Sequence, residues 1–153
     1  MSNTQLVWFK RDLRVHDHVP LLEAARRGLV LPLYIVEPGY WKGADASGRH
    51  WEVVRESLIE LQDALHALGL PLIIRQGDAV GVLESLRSEH AVQAMWSHEE
   101  TGNAFTFERD KRVAAWAKAN AVAWTEIPQF GVVRRLKQRG GWVKHWEAHM
   151  NQP

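Results

Sequence analysis

Lys10, Arg11, Asp12 and Arg14 follow directly on the apolar run Val7-Trp8-Phe9. Three cations around one carboxylate, at the end of a buried strand, make a place to hold a polar or anionic ligand, because ligands of open α/β sheets bind beyond the carboxyl ends of the strands. The same residues have a structural use: Asp12 and Arg14 can pair with one another or with neighbouring loops, as Arg–carboxylate pairs commonly do. His16-Asp17-His18 come next and read as the entry to a helix.

Other chemistry-bearing residues are weaker. Glu99 and Glu100 are adjacent and fall in a loop, so they need not converge. His145 and His149 are four apart on an expected helix and share a face, but His-Trp-Glu-Ala-His lacks the H-E-x-x-H order and no third ligand is evident, so we expect no metal site. The glycines at 39, 43 and 48 match neither G-x-G-x-x-G nor the P-loop, and their segment reads as a flexible loop. The basic run Arg134, Arg135, Lys137, Arg139 reads as a solvated linker before it reads as a phosphate contact. There is no Ser-His-Asp set.

The elements that must position these residues alternate along the chain. Leu6–Phe9 is a first strand. Asp17 caps a helix over 18–27, ended by Gly28. Val30–Val36 is a second strand, and 38–48 a loop. Trp51, Val54, Leu58, Leu61, Leu65 and Leu68 fall at 3-4-3-4-3 spacing, the clearest helix in the chain, stopped by Gly69 and Pro71. Leu70–Arg75 is a third strand, and Asp78 caps a helix with Val82, Leu83 and Leu86 inward. Ala91–Trp96 is a fourth strand, a helix covers about 105–119, and Val122–Ile127 is the fifth strand. Strands alternating with helices through short connections predict an α/β fold: a five-stranded parallel sheet, doubly wound, in the order 3-2-1-4-5.

With 153 residues the chain is long enough for one domain with a sizeable core. Its net charge of +1 gives no argument for a nucleic-acid or membrane partner. The absence of cysteine excludes disulfides and thiolate chemistry. It fits a cytoplasmic location, as does an N-terminus, Met1-Ser2-Asn3-Thr4-Gln5, without a secretory signal. The longest apolar runs, such as Leu29–Val36, are far short of a membrane span. The eight tryptophans read first as bulky core packing. Residues 1–128 form the α/β domain. Residues 129–153 differ: after the basic run, Trp142, Val143, Trp146 and Met150 mark one apolar face of a short helix with nothing behind it to cover it. We read this segment as a linker into a further domain.

These residues also carry a resemblance. Trp8-Phe9-Lys10-Arg11-Asp12-Leu13-Arg14, with His16-Asp17 and Leu31-Pro32-Leu33-Tyr34, resembles the first two strands of the DNA photolyase/cryptochrome family. Ser57-Leu58 through Leu68-Gly69 is similar to its second helix, Arg75-Gln76-Gly77-Asp78 to its Arg-x-Gly-Asp turn, and Trp96 with Arg109-Asp110-Lys111-Arg112-Val113 to its fourth strand and Arg-Asp-x-x-Val helix. The resemblance covers nearly the whole chain. It implies a Rossmann-like N-terminal domain that holds an antenna pigment, followed from 129 by the linker and the start of a helical FAD-binding domain. It also implies DNA as partner of the full-length protein, a deoxyribodipyrimidine photolyase-like flavoprotein that splits pyrimidine dimers by electron donation from excited reduced flavin. No residue of this chain is assigned to that catalysis. A cryptochrome-type blue-light photoreceptor uses the same scaffold, and a free-standing Rossmann-like nucleotide-binding or interaction domain is the reading outside the family.

For the pigment, the resemblance implies Arg11, Trp41 and Glu99, placed over the carboxyl ends of the first and fourth strands. Members with a deazaflavin use a basic residue where Arg11 stands and an acid where Glu99 stands. Trp41 lies in the loop bordering the antenna, where it stacks on a ring or fills the pocket itself. Folate-binding members carry Asn-Glu shortly before the Arg-Asp, and Phe105-Thr106 stand there instead. The pigment implied is therefore a deazaflavin or FMN rather than a folate. His18-Val19-Pro20 replaces the usual Asn-Pro after Asp17.

Overall fold

The structure is a computed structural model that describes residues 3–134 and 136–152. Five strands, β1 (Thr4–Phe9), β2 (Leu29–Val36), β3 (Ile73–Gln76), β4 (Val92–His98) and β5 (Ala123–Ile127), form one sheet in the order β3-β2-β1-β4-β5. Every pairing is parallel. The expected fold class and strand order are therefore those observed.

Helices α1 (Val19–Ala25), α2 (Pro38–Trp41), α3 (Gly48–Ala67), α4 (Ala79–His90), α5 (Ala104–Ala119) and α6 (Trp142–Met150) complete the chain, with a 3-10 turn over Arg139–Gly141. Strand side chains alternate between faces, and β1 shows what that does. Leu6 and Trp8 join Leu33, Ile35 and Met95 against Leu83, Leu86, Val113 and Ala117 of α4 and α5. Val7 and Phe9 join Tyr34 and Trp96 against Leu21, Ala24, Leu58, Leu61 and Leu65 of α1 and α3. All six residues of β1 are buried, and its last four, Leu6–Phe9, read as an unbroken apolar run. The charged turn at its end is thus anchored by the most enclosed strand of the sheet.

Three local details differ from expectation. His18, not Asp17, caps α1: its Nδ1 accepts from the Leu21 N–H at 3.1 Å, while Asp17 turns the chain at φ 49°. Residues 38–41, expected as loop, form the short helix α2, with Pro38 supplying a φ suited to the first turn. Leu68 falls at the C-cap of α3 and is 60% exposed, so the apolar stripe ends one turn earlier. Gly69 closes that helix at φ 75°, a conformation that costs glycine little. Gly28 has a different reason to be glycine: a Cβ there would lie 2.0 Å from the Asn3 carbonyl oxygen. No helix among the described residues is long and apolar enough to cross a membrane.

Candidate functional site

The turn after β1 is held by one carboxylate. Asp12 Oδ2 lies 2.7 Å from His18 Nε2 and 2.7 Å from His98 Nδ1, and Oδ1 accepts the Lys10 backbone N–H at 2.8 Å. Burial alone would raise this carboxyl; hydrogen bonds from His18 and His98 outweigh it and hold Asp12 well below the usual carboxylate range. Because His18 Nδ1 accepts from Leu21, its proton sits on Nε2 and is donated to Asp12. The three ligand-type atoms lie within 4.8 Å of one another, spacing that a metal could use. Yet the hydrogen bonds already occupy Oδ2 and fix the His18 tautomer, so the residues fit a clasp between β1, α1 and β4 better than a metal centre.

Beyond the carboxyl ends of β1 and β2 lies a cavity of about 390 Å³. Its walls include Trp8, Tyr34, Tyr40 and Trp41, with Arg11 at the rim. Arg11 donates to Glu100 at 3.1 Å and to the Tyr40 hydroxyl at 3.1 Å. Trp41 is packed edge-on against Tyr40 and Trp51, ring centroids 5.1 and 5.0 Å away. The floor is Arg109. Its guanidinium bonds Glu37 at 2.6 Å, Asp110 at 2.9 Å, and Glu100, and lies 4.8 Å from the Trp8 ring. Burial would lower its pKa, but the carboxylates of Glu100, Glu37 and Asp110 more than offset that and raise it. Burial pushes Glu37 and the Tyr34 phenol up.

Lys10 is stranger. Its side chain is 5% exposed, its Nζ lies 4.5 and 5.3 Å from the rings of Trp8 and Trp124, and its carboxylate partner, Asp110, stands at 3.4 Å. Burial lowers its pKa, with Asp110 opposing. Lys10, Arg11 and Glu100 also line a second cavity of about 210 Å³, which lies over the ends of β1 and β4 and is bounded by Asp12, His98, Glu99, Thr101, Gln129 and Phe130.

Of the residues singled out from sequence, Arg11 and Trp41 share the larger cavity. Glu99 is on the wall of the smaller one, and its carboxylate faces Arg134 at 3.5 Å. Arg14 does not pair with Asp12 through its side chain; its guanidinium donates to the carbonyls of His16 and Asp17, both at 3.0 Å. His145 is exposed on α6, and the described residues bring no third ligand to it and His149. Within the basic run, Arg134 pairs with Glu99 and Glu126, and Arg135 lies outside the described residues. Sequence reasoning missed Glu37, Tyr40, Glu100 and Arg109 as cavity residues. A signal existed for Arg109: with Thr106, Val113 and Ala117 it keeps the 3-4 spacing of the inward face of α5, and a buried arginine requires carboxylates.

Known proteins share this fold. The deoxyribodipyrimidine photo-lyase of Escherichia coli (strain K12) is 38% identical over 95 residues, covering 58% of this chain and 20% of that protein. Cryptochrome DASH of Gloeobacter violaceus (strain ATCC 29082 / PCC 7421) is 34% identical over 123 residues, covering 74% of this chain and 24% of that one. Among solved structures, a bacterial class III photolyase from Agrobacterium tumefaciens matches at a TM-score of 0.79 and 25% identity, covering 92% of this chain and 29% of that one. An archaeal photolyase from Sulfolobus tokodaii, solved with two FAD molecules, shares the fold at a TM-score of 0.73 and 21% identity, covering 95% and 35%. The chain therefore spans only between 20% and 35% of these proteins. The sequence model described as DNA photolyase matches residues 5–134, and the chain belongs to the DNA photolyase family.

Proposed function

We propose that this chain is the antenna and scaffold domain of a deoxyribodipyrimidine photolyase-like flavoprotein. In this reading residues 1–128 are the α/β domain, and 129–153 lead into a helical domain that carries FAD and meets a pyrimidine dimer in DNA. The larger cavity supports an antenna role. Its volume falls at the lower end of the range for ligand pockets. Its aromatic walls suit a flat conjugated ring, and Arg11 suits a polar or anionic ring edge. The single observation that carries the reading is the convergence of Trp8, Tyr34, Tyr40 and Trp41 on one cavity past the ends of β1 and β2. A bound pigment would supply light absorption and hand its excitation to the flavin. The chain's own part is to hold the ring, exclude water from it and keep Arg109 charged beneath it.

Thr106 and Phe105 support a deazaflavin or FMN over a folate. The Thr106 hydroxyl is spent on the Asn103 carbonyl at 3.0 Å, and the Phe105 ring packs toward Tyr40. Neither offers the amide or carboxylate of the folate-type pair. Equilibrium dialysis of the purified chain against a folate, a deazaflavin and FMN tests this: retention of the deazaflavin or FMN alone supports it, and retention of none contradicts it. The cryptochrome reading is favoured by one observation, the match to cryptochrome DASH over 74% of the chain. A dimer-repair assay on the full-length protein separates the two.

A further inference from the structure

One side of the larger cavity is closed by a segment with few fastenings. Its two ends are fixed. Glu37 is buried and bonds Arg109 at 2.6 Å, and the Ser47 hydroxyl caps α3 by accepting the His50 N–H at 3.2 Å. Between them, residues 38–46 form α2 and a turn in which 42–45 are exposed. The backbone bonds of that turn stay inside the segment: the N–H groups of Lys42, Gly43 and Ala46 go to the carbonyls of Pro38, Tyr40 and Gly43. Such a piece can swing as a body about its ends without breaking them.

The segment has a cavity side and an outer side. Tyr40 and Trp41 are cavity wall, and Arg11 at the rim donates to the Tyr40 hydroxyl at 3.1 Å. The outer side is held by one bond. Asn103, the N-cap of α5, accepts the Thr106 N–H on Oδ1 and donates through Nδ2 to Asp45 Oδ2 at 2.9 Å, across 58 positions of chain. Among the described residues the side chains of 42–46 make no other hydrogen bond and no ion pair. Neither Asp45 nor Asn103 lines the cavity. A lone hydrogen bond in solvent contributes little and opens readily. A flat ring sealed from water has to enter past a wall that moves.

We propose that residues 38–46 are a lid on the larger cavity and that the Asp45–Asn103 hydrogen bond is its latch. The lid opens for a flat conjugated ligand to enter or leave, and the latch is closed over the empty and the occupied cavity alike. This rests on the antenna reading and adds what governs its rates: the latch sets how fast the ligand exchanges, and the cavity walls set how tightly it binds.

The test is stopped-flow binding of FMN to the purified chain. Asp45→Ala removes the latch from both states, so association and dissociation should each quicken about fivefold while Kd stays within about twofold. Asp45→Asn keeps an oxygen for the Asn103 N–H and should keep the parent's rates. A second measurement needs no ligand. The chain has no cysteine, so Val54→Cys on the cavity wall supplies a single thiol. Its reaction with maleimide should quicken about fivefold when Asp45→Ala is added. Unchanged FMN rates in Asp45→Ala, a weaker Kd with association unchanged, or Asp45→Asn as fast as Asp45→Ala would overturn the latch while FMN binding still upholds the antenna site. Failure of FMN to bind would overturn the antenna reading, and the thiol rates then decide the lid alone: quickened they uphold it, unchanged they overturn it.

Discussion

Arg109 of α5 and Glu37, the residue after β2, meet at 2.6 Å although 72 positions separate them. Their contact ties the β2 side of the sheet to the α5 side directly beneath the larger cavity. Arg109 also balances Glu100 and Asp110, so its removal leaves three enclosed carboxylates without their shared cation. Breaking one side of a buried ion pair costs about 3–5 kcal/mol. Arg109→Met should lose about that much in urea denaturation; a loss below about 1 kcal/mol would show that the network contributes little.

Asp12 gives a pH dependence with a definite sign. Its carboxyl lies below its ordinary value of 3.8 in the folded protein. A depressed carboxylate contributes stability that is fully present above the unfolded value and is lost as pH falls through the folded one. Asp12→Asn should therefore cost about 3 kcal/mol at pH 7. The gap between variant and parent should narrow once the pH drops below 3.8. A gap that stays constant from pH 7 to pH 2 would contradict the clasp.

Lys10 should be dispensable for folding. Its amine is desolvated, and Asp110 keeps two bonds from Arg109 if Lys10 is lost. Lys10→Met places a thioether between Trp8 and Trp124, where sulfur–aromatic contact is favourable. Stability should stay within about 1 kcal/mol of the parent or rise, since an apolar replacement for a buried charge is often neutral or better. A loss above about 2 kcal/mol by chemical denaturation would assign the ammonium a structural task.

The segment after β5 should exchange its amides early. On α6, Trp142 is 41% exposed, Val143 56%, Trp146 42% and Met150 58%. Few buried contacts mean a low opening free energy. Hydrogen exchange should find α6 orders of magnitude less protected than β1, and equal protection in a monomer would remove the reading of 129–153 as a linker.

The sheet was legible because β1 and β2, covered on both faces, carry the apolar runs Leu6–Phe9 and Leu29–Val36, and because α3 repeats leucine at 3-4 spacing. The short α2 was not, since four residues carry no periodicity. The cavity was half legible. Arg11 and Trp41 sit on it because each lies just past a strand end. Glu99 is not on it: it lies past the end of β4 with its carboxylate toward Arg134 at 3.5 Å, while Glu100, which lines both cavities, is drawn to Arg11 and Arg109. Asp12 and His98 are 86 positions apart, and only the β1–β4 pairing brings them together.

The proposed antenna role requires a conjugated pigment to bind between Arg11 and Trp41. Titration of FMN into the parent chain, Arg11→Ala and Trp41→Ala, followed by flavin fluorescence, tests it most directly. Each substitution should weaken binding about tenfold, the scale of losing a stacking face or a charged hydrogen bond. Equal affinity in all three proteins, or no binding to the parent, would contradict it.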